Sequence, residues 1–379
     1  MSAVPSLYIH IPFCVRKCLY CDFYSFVPSG RSEIETYIAA LRAELDLYRE
    51  YLGGLKTVYI GGGTPSMIDN PILENLFSGI DEFTAGREIE FTLEANPDDV
   101  TPEKAEFWKR RGVTRASLGW QSMDKGTLGL LRRRNSPEVN RQAFDCLRGA
   151  GFGNISVDLI LSVAGGEIES ALDAIAELTP EHVSAYHLTI EEGTPLHRMT
   201  SRGEYVPRGD SDYLAVYHNV SRTLETLGYR QYEVSNFARP GFESRHNTNY
   251  WDYGGYAGIG LGAAGFIDGT RYTNTRDMKE YLRAAGAGER PVASSETPDR
   301  NMAMREYVML GLRKADGFSA DGFFKRFGVD LNSAEFSAGW AALEKWVRRE
   351  GGRIFLTPGG RDIMDGIIGE IWDFLPESR

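Results

Sequence analysis

The alternation of strands and helices in the first half of the chain is the feature that most constrains its fold. Six short stretches rich in β-branched and aromatic residues end at glycine, proline or polar residues, and stretches with helical spacing separate them. Six strands alternating with helices over roughly 190 residues indicate a parallel α/β sheet rather than a β-sandwich. The predicted strands are residues 7–11, 56–60, 88–93, 114–118, 155–161 and 182–189.

The first predicted strand runs into a loop that carries three of the four cysteines. Cys14, Cys18 and Cys21 have the spacing C-x3-C-x2-C. Three thiolates on one loop can hold three corners of a [4Fe–4S] cube, because such clusters are normally ligated by cysteine thiolates. The fourth iron would then be open, as the reductive cleavage of S-adenosylmethionine (SAM) requires. A zinc site completed by His10 or Cys146 is the alternative that the spacing leaves open.

Glycines and polar residues follow the other predicted strands. The glycine triplet at residues 61–63 allows close approach of a ligand to main-chain N–H groups, and Glu94, Gln121 and Asp158 lie at or near strand ends. Because ligands bind at the carboxyl ends of parallel strands, these positions predict one site beside the cysteine loop. Taken singly, a glycine triplet is more often a tight turn, and a lone carboxylate more often caps a helix or binds an arginine.

The pattern changes after the sixth predicted strand, and three parts of the chain are predicted: residues 1–195, 196–290 and 291–379. In the middle part, the glycine-rich residues 254–265 suit close packing of backbone, but a flexible loop is the default expectation. Residues 284–296, which are rich in Gly, Ala, Ser and Pro, are expected to be a linker. The last part is predicted to be a smaller helical unit with one strand pair.

Net charge and cysteine content bear on the partners. The 42 basic and 53 acidic residues give a formal net charge of −11. An acidic excess disfavours nucleic acid or an anionic membrane surface as the main partner. The first residues lack the charged and apolar regions of a signal peptide, and we find no apolar run of about 18 residues. With few cysteines, these features predict a cytoplasmic protein whose thiols are available for a metal.

Five motifs follow one another along the chain: YIHIPFCxxxCxxC at 8–21, GGGTP at 61–65, TLEANP at 92–97, SLGxQS at 117–122 and HxSxYxLTIExGTPL at 182–196. In this order they resemble one family, the radical SAM proteins related to oxygen-independent coproporphyrinogen III oxidase. Within that group the chain is similar to the heme-chaperone branch, because the oxidase has a fourth cysteine two positions after the third, where this chain has Phe23. Two further segments resemble the same branch: YEVSNFARPG at 232–241 and HNTNYW at 246–251.

The resemblance implies a partial (β/α)6 radical SAM barrel followed by a smaller, mainly helical, winged-helix-like C-terminal domain. It also implies that Cys14, Cys18 and Cys21 ligate the cluster. The HNTNYW motif is associated with heme binding, so His246 is a candidate axial heme ligand beside Tyr250 and Trp251, although a lone histidine is more often a satisfied structural residue. The residues that would line the SAM pocket are Tyr8, Gly63, Thr64, Glu94, Gln121, Arg133 and Asp158.

Three segments depart from the family pattern and bear on how SAM and heme would be contacted. They are Arg132–Asn135 in place of Gly-Arg-x-His, residues 162–167 (Ser162 to Glu167) in place of Gly-Leu-Pro-Gly-Gln-Thr, and Gly262-Ala263-Ala264 in place of Gly-Ala-His.

Three functions follow as hypotheses. The first is a heme carrier that binds heme and delivers it to an apo-protein, with a homodimer or peripheral contact with a membrane protein as further expectations. The second is the oxidase reaction, in which two propionates of coproporphyrinogen III are oxidatively decarboxylated to give protoporphyrinogen IX. The third is a zinc-stabilised binding module. We assign no catalytic residue.

Overall fold

The computed structural model describes residues 3–376, and six parallel strands form the centre of its largest sheet. Each strand pairs in parallel with the next in chain order, which confirms the partial (β/α)6 architecture. The strands are β1 (Ser6–Ile11), β2 (Thr57–Gly62), β3 (Glu90–Ala95), β4 (Arg115–Gln121), β5 (Ile155–Leu161) and β6 (His182–His187). The helices between them are α1 (Arg31–Leu47), α2 (Asn70–Thr84), α3 (Pro102–Arg110), α4 (Lys125–Leu130), α5 (Pro137–Gly149) and α6 (Glu169–Leu178). Short 3-10 turns lie at Arg49–Gly54, Pro65–Met67, Pro97–Asp99 and Ala334–Phe336.

The alternation of side chains along β1 separates the core from the site. Leu7, Ile9 and Ile11 are fully buried and belong to the same apolar cluster as the buried residues of α1. Successive side chains of a strand point to opposite faces, so Tyr8 and His10 lie on the other face, where a hydrogen bond joins them. The outer face of the sheet is therefore the apolar core, and the inner face carries polar side chains.

The middle part of the chain extends the sheet at both edges. β8 pairs with β6, and β9 pairs with β1. Its elements are α7 (Pro195–Ser201), α8 (Asp210–Thr226), β7 (Arg230–Gln231), β8 (Asn236–Ala238), α9 (Arg245–Trp251), β9 (Tyr256–Ile259), β10 (Ala264–Ile267), β11 (Thr270–Asn274), α10 (Met278–Gly286) and β12 (Val292–Glu296).

Two default predictions for this middle part are wrong. The glycine-rich residues 254–265 contain β9 and part of β10 rather than a flexible loop. The backbones approach so closely there that residue 258 must be glycine, since a Cβ at Gly258 would lie 1.7 Å from the Ala264 carbonyl oxygen. Residues 284–296 contain the end of α10 and the edge strand β12 rather than a linker. All residues of β12 are exposed, so this edge strand has the polar composition that we expected of a linker.

The last part of the chain is mainly helical and has its own apolar cluster, which runs from Met304 to Leu375. Its sheet has three strands rather than the predicted pair. The boundaries near residues 195 and 290 stay predictions. The elements are α11 (Arg300–Gly311), β13 (Phe318–Ser319), α12 (Ala320–Phe327), α13 (Ser337–Ala342), β14 (Val347–Glu350), β15 (Arg353–Leu356), α14 (Pro358–Arg361) and α15 (Met364–Phe374).

Across residues 3–376, none of the helices combines the length and the apolar character needed to cross a membrane.

Glu44 on α1 is a fully buried carboxylate that ties three elements together. It accepts hydrogen bonds from the Gly260 N–H (2.8 Å), from Asn274 Nδ2 (2.7 Å) and from the Tyr281 hydroxyl (2.6 Å). Burial raises the pKa of Glu44 from its ordinary 4.5 to about 7, although these bonds oppose the shift.

We expect Glu44→Gln to weaken the pH dependence of stability. A raised pKa means that the folded protein binds more protons than the unfolded chain between pH 4.5 and about 7, so the free energy of unfolding falls as pH rises through this range. The part due to Glu44 is on the order of 3 kcal/mol. Urea unfolding of wild type and variant from pH 5 to pH 8 measures the difference in slope.

Glu35→Gln is the matched control, because Glu35 lies on the same helix with half of its side chain exposed. It should keep the wild-type slope. Burial also raises the pKa values of Glu94 and Glu233 to about 7, so the Glu44 variant should retain part of the slope. An unchanged slope in Glu44→Gln would contradict the prediction.

Candidate functional site

Backbone pairing closes the base of the cysteine loop. Phe13 and Phe26 form an isolated parallel bridge, and their rings meet edge-on at 5.5 Å. The Cys14 N–H donates to the Phe26 carbonyl (2.9 Å), and the Phe26 N–H donates to the Pro12 carbonyl (2.8 Å). The loop therefore leaves and rejoins the carboxyl end of β1 at fixed points, and its three cysteines carry free thiols.

Two side chains that follow neighbouring elements donate hydrogen bonds to the cysteine sulfurs. Thr64 Oγ1, after β2, lies 3.4 Å from Cys14 Sγ, and Arg133 Nη1, after α4, lies 3.5 Å from Cys18 Sγ. Burial raises the pKa of the Cys14 thiol, and the Thr64 hydrogen bond and the charge of Arg133 oppose that shift toward the thiolate, which is the form that binds iron. The residues present thus fit a [4Fe–4S] cluster held by Cys14, Cys18 and Cys21.

The residues that a zinc site would need are not available. His10 Nδ1 bonds to the Tyr8 hydroxyl (2.9 Å) and His10 Nε2 to the Tyr24 carbonyl (2.8 Å), so both ring nitrogens are occupied. Cys146 lies in the last turn of α5, which runs back from the carboxyl edge of the sheet toward the opposite edge. Within residues 3–376, no three His, Cys, Asp or Glu side chains converge as ligands of a single ion. A [4Fe–4S] cube does not need ligands that converge on a single ion, because each of the three thiolates binds a different iron.

The glycine triplet serves close packing more than ligand contact. A Cβ at Gly61 would lie 2.7 Å from the Glu94 side chain, one at Gly62 would lie 2.5 Å from the His10 ring, and one at Gly63 would lie 2.6 Å from the Phe13 carbonyl oxygen. The amides of Gly62 and Gly63 donate to Glu94 Oε2 (3.0 Å) and to the Ile11 carbonyl (2.7 Å). These two N–H groups therefore differ from the expected free donors.

Glu94 and Asp158 place two carboxylates on the inner face of the sheet. The Tyr59 hydroxyl donates to Glu94 Oε1 (2.7 Å), and the Ser117 hydroxyl donates to Asp158 Oδ1 (3.1 Å). Burial raises the pKa of Glu94 to about 7, and burial also raises the pKa of Asp158. Glu94 can therefore change protonation near neutral pH, and both carboxyl groups can accept hydrogen bonds from amino or hydroxyl groups of a ligand.

Arg133 is held by a network and is not a solvated member of a charge run. Its Nη2 donates to Asn96 Oδ1 (2.7 Å) and to the Gly119 carbonyl (2.8 Å), and its Nε donates to Asn135 Oδ1 (3.1 Å). Asn135 in turn donates to the Trp120 carbonyl (3.0 Å). Asn135, which stands where the family has histidine, thus orients Arg133. In the sequence, Asn135 was marked only by its place in the segment that departs from the family pattern, and Asn96 only by its place in the TLEANP motif.

Gln121 and the remaining departures also lie at strand ends. Gln121 ends β4 with a φ of +65°, a left-handed conformation that is uncommon for residues other than glycine. Ser162, directly after β5, has a φ of +63°, and a hydrogen bond of 3.2 Å joins its hydroxyl to His187 Nδ1. Ala264 is exposed at the start of β10. The sequence positions therefore meet at the carboxyl edge, as expected for a site there.

His246 lies apart from that edge and has no free ring nitrogen. Its Nδ1 bonds to Thr57 Oγ1 at the start of β2, and its Nε2 bonds to the Tyr250 hydroxyl, both at 2.8 Å. Its side chain is buried, and burial, with a smaller effect of Arg115, lowers the pKa of His246 to about 3. His246 as an axial heme ligand stays a prediction, and both hydrogen bonds would have to break before its ring could bind iron.

Tyr250 and Trp251 extend this packing toward the C-terminal unit. The Tyr250 ring meets Tyr256 edge-on at 4.6 Å, and the Arg313 guanidinium lies 5.7 Å from the Trp251 ring centre. Trp251 Nε1 is buried without a hydrogen-bond partner. In this structure α9 thus connects the amino edge of the sheet to the last part of the chain.

We expect His246→Ala to lower the free energy of unfolding by about 2–4 kcal/mol, through the cavity it leaves and the two hydroxyl groups it strips of a partner. Chemical unfolding of the purified variant measures the loss. Tyr250→Phe, which keeps the ring and removes one bond, should cost about 1 kcal/mol. A stable His246→Ala protein that has lost heme binding alone would instead favour direct ligation.

Comparison with known proteins agrees with this geometry. Residues 8–179 match the model of the radical SAM superfamily, which implies a [4Fe–4S] cluster and SAM. The heme chaperone HemW of Mycobacterium tuberculosis (strain ATCC 25618 / H37Rv) is 34% identical over 371 residues, which cover 96% of this chain and 93% of that protein. The heme chaperone HemW of Escherichia coli (strain K12) is 36% identical over 305 residues, covering 77% and 80%.

A solved structure supports the fold independently. Coproporphyrinogen III oxidase (HemN) from Escherichia coli, a radical SAM enzyme, superposes with a TM-score of 0.82 and covers 98% of this chain and 91% of its own, at 21% sequence identity. At that identity the likeness concerns the fold alone, and the family follows from the HemW relatives. This chain belongs to the heme chaperone HemW family of radical SAM proteins.

Proposed function

We propose that this protein is a heme chaperone, which binds heme and transfers it to an acceptor protein. The observation that carries the proposal is the identity of about one residue in three to HemW proteins along nearly the whole chain. Phe23 supports it, because the residue at the position of the oxidase's fourth cysteine is an exposed phenylalanine.

The radical SAM site is retained in this proposal. Cys14, Cys18 and Cys21 hold the cluster, with the Thr64 hydroxyl and the Arg133 guanidinium as donors to two of the sulfurs. When bound, the cluster would supply the electron for the reductive cleavage of SAM. The SAM pocket is assigned to the side chains and backbone of Tyr8, Gly63, Thr64, Glu94, Gln121, Arg133 and Asp158.

Within the pocket, the charge of each side chain determines which group of SAM it would bind. Glu94 and Asp158 suit the amino and ribose hydroxyl groups of SAM, and Arg133 suits its carboxylate. The proposal also includes a cytoplasmic location, an acceptor apo-protein, a homodimer and peripheral contact with a membrane protein.

The experiment that tests the function is an anaerobic titration of the reconstituted protein with hemin. After gel filtration, heme that stays with the chain is counted as pyridine hemochrome, and apomyoglobin is then added as a probe acceptor. We expect about one heme per chain and its movement to the acceptor. Absence of bound heme at micromolar hemin would overturn the proposal.

Incubation of the same preparation with coproporphyrinogen III, SAM and a reductant tests the oxidase alternative. Protoporphyrinogen formation over many turnovers would replace the chaperone by the enzyme. We expect none, because this chain has Phe23 at the position of the oxidase's fourth cysteine.

A further inference from the structure

The cysteine loop exposes apolar side chains next to the cluster ligands. Phe23, two residues after Cys21, is 70% exposed, and Val15, between Cys14 and Cys18, is 47% exposed. Exposed apolar side chains rimmed by polar residues mark binding surfaces when they form a patch, whereas single ones are common. Neither residue contributes to the apolar cores of the chain.

Three exposed cations lie on or beside this loop, which also carries the exposed Asp22 directly before Phe23. Arg16 and Lys17 lie on the same loop and are exposed, and Arg132 is exposed with a φ of +54°. Within residues 3–376, none of the three takes part in an ion pair, whereas the adjacent Arg134 pairs with Asp99 at 2.9 Å. In a chain of net charge −11, three unpaired cations together form a local basic surface.

Val15, Arg16 and Arg132 line one surface depression beside Cys18. Asp98 also lines it, but its carboxylate faces Arg134 at 3.8 Å. We call Val15, Arg16, Lys17, Phe23 and Arg132 together the rim patch.

We infer that the rim patch is where heme docks, with Phe23 and Val15 against the macrocycle and the three cations beside the propionates. The inference rests on the proposed heme function and names its site. Heme is flat and apolar and carries two carboxylates at one edge, so it matches a surface on which exposed apolar side chains adjoin unpaired cations. The patch also lies on the opposite edge of the sheet from the buried His246.

Two other occupants fit the patch less well. An acidic protein partner would use Arg16, Lys17 and Arg132 but leave the largely exposed Phe23 unexplained. A second copy of this chain, with its net charge of −11, would offer carboxylates to the three cations. It would lack heme's combination of a flat apolar ring with two carboxylates at one edge. Both are outcomes of the test below.

The test compares hemin affinity by equilibrium dialysis of the anaerobically reconstituted protein. Phe23→Ala should weaken binding about tenfold, because it removes a large aromatic contact. Phe324→Ala is the matched control, since Phe324 is 52% exposed on α12 in the last part of the chain and should not change the affinity. Iron and sulfide content, measured on every variant, shows whether the loop still holds its cluster.

The charges are tested with a second ligand. The triple variant Arg16→Gln, Lys17→Gln and Arg132→Gln should weaken hemin binding about tenfold but leave the affinity for hemin dimethyl ester, which lacks the propionate charges, unchanged. Arg87→Gln, an exposed position in the turn before β3, should affect neither ligand.

The outcomes separate this inference from the function on which it rests. No hemin binding by wild type refutes the chaperone proposal itself. Wild-type binding that Phe23→Ala and the triple variant both leave intact refutes only the rim patch, and heme then binds elsewhere. A change of oligomeric state in light scattering without a change in hemin affinity assigns the patch to a second copy and also refutes it. If the variants lose only the binding of an acidic electron-transfer protein and keep their hemin affinity, the patch binds a protein partner and the rim-patch inference is likewise refuted.

Discussion

Replacement of Cys14, Cys18 and Cys21 together by serine is expected to abolish bound iron and acid-labile sulfide. All three thiols lie on one loop with fixed ends, and two of them receive hydrogen bonds from Thr64 and Arg133. Serine keeps the size of the side chain but offers no thiolate, so the cluster loses every protein ligand that the loop supplies. We expect less than about one-twentieth of the wild-type iron after anaerobic reconstitution, measured colorimetrically with absorbance near 400 nm as a second readout.

Cys146→Ser is the matched control, because Cys146 is the remaining cysteine and lies in the last turn of α5. It should keep the full iron and sulfide content. If wild type contains one zinc ion without sulfide and the triple variant loses it, the metal is not a cluster. If the Cys146 variant loses iron as well, the ligand set is incomplete.

The parallel sheet was predictable because local sequence alone defines its elements. The strand predicted at 155–161 is found with the same bounds as β5, and a helix, α5, precedes it, as the alternation predicts. Each of these elements has buried apolar residues at the spacing that its own geometry demands. No long-range contact was needed to recognise them, which is why alternation was a sound guide.

The middle part was harder because its sequence reflects contacts far along the chain. Gly258 is glycine because the backbone of β10 passes through the space of a side chain, and only the folded pairing reveals this. The exposed β12 is a strand through its pairing with β11 and not through its composition. Composition described these residues correctly but could not name their partners.

The site residues also fall into two groups: those that local motifs predict and those whose role depends on contacts far along the chain. Strand ends indicated the glycine triplet and Glu94, and the family resemblance indicated Thr64 and Arg133. The structure brings Thr64 and Arg133 to the cysteine sulfurs. The sequence could not indicate that His246 has both ring nitrogens engaged, since its partner Thr57 lies 189 residues away. The sequence showed Asn135 only as a departure from the family pattern, and the structure shows that it accepts a hydrogen bond from Arg133.

Arg133→Met is expected to have the second large effect, a loss of SAM affinity of at least tenfold together with weaker retention of iron. Four of the five guanidinium N–H groups have partners, and the remaining one is on Nη1, the nitrogen that faces Cys18. That N–H has no partner within residues 3–376, and we propose the carboxylate of SAM as its acceptor. Loss of a hydrogen bond to a charged group costs about 1.5–3 kcal/mol, which corresponds to tenfold or more.

Equilibrium dialysis of radiolabelled SAM against reconstituted protein measures the affinity, and iron content is determined on the same samples. Arg133→Lys keeps the charge but not the planar fork that reaches Asn96, Gly119 and Asn135, so we expect an intermediate loss. Arg132→Met removes an exposed neighbour without an ion pair and should leave SAM affinity at the wild-type value. Equal losses in Arg132→Met and Arg133→Met would mean that general basicity of the loop, and not the aimed guanidinium, holds the ligand.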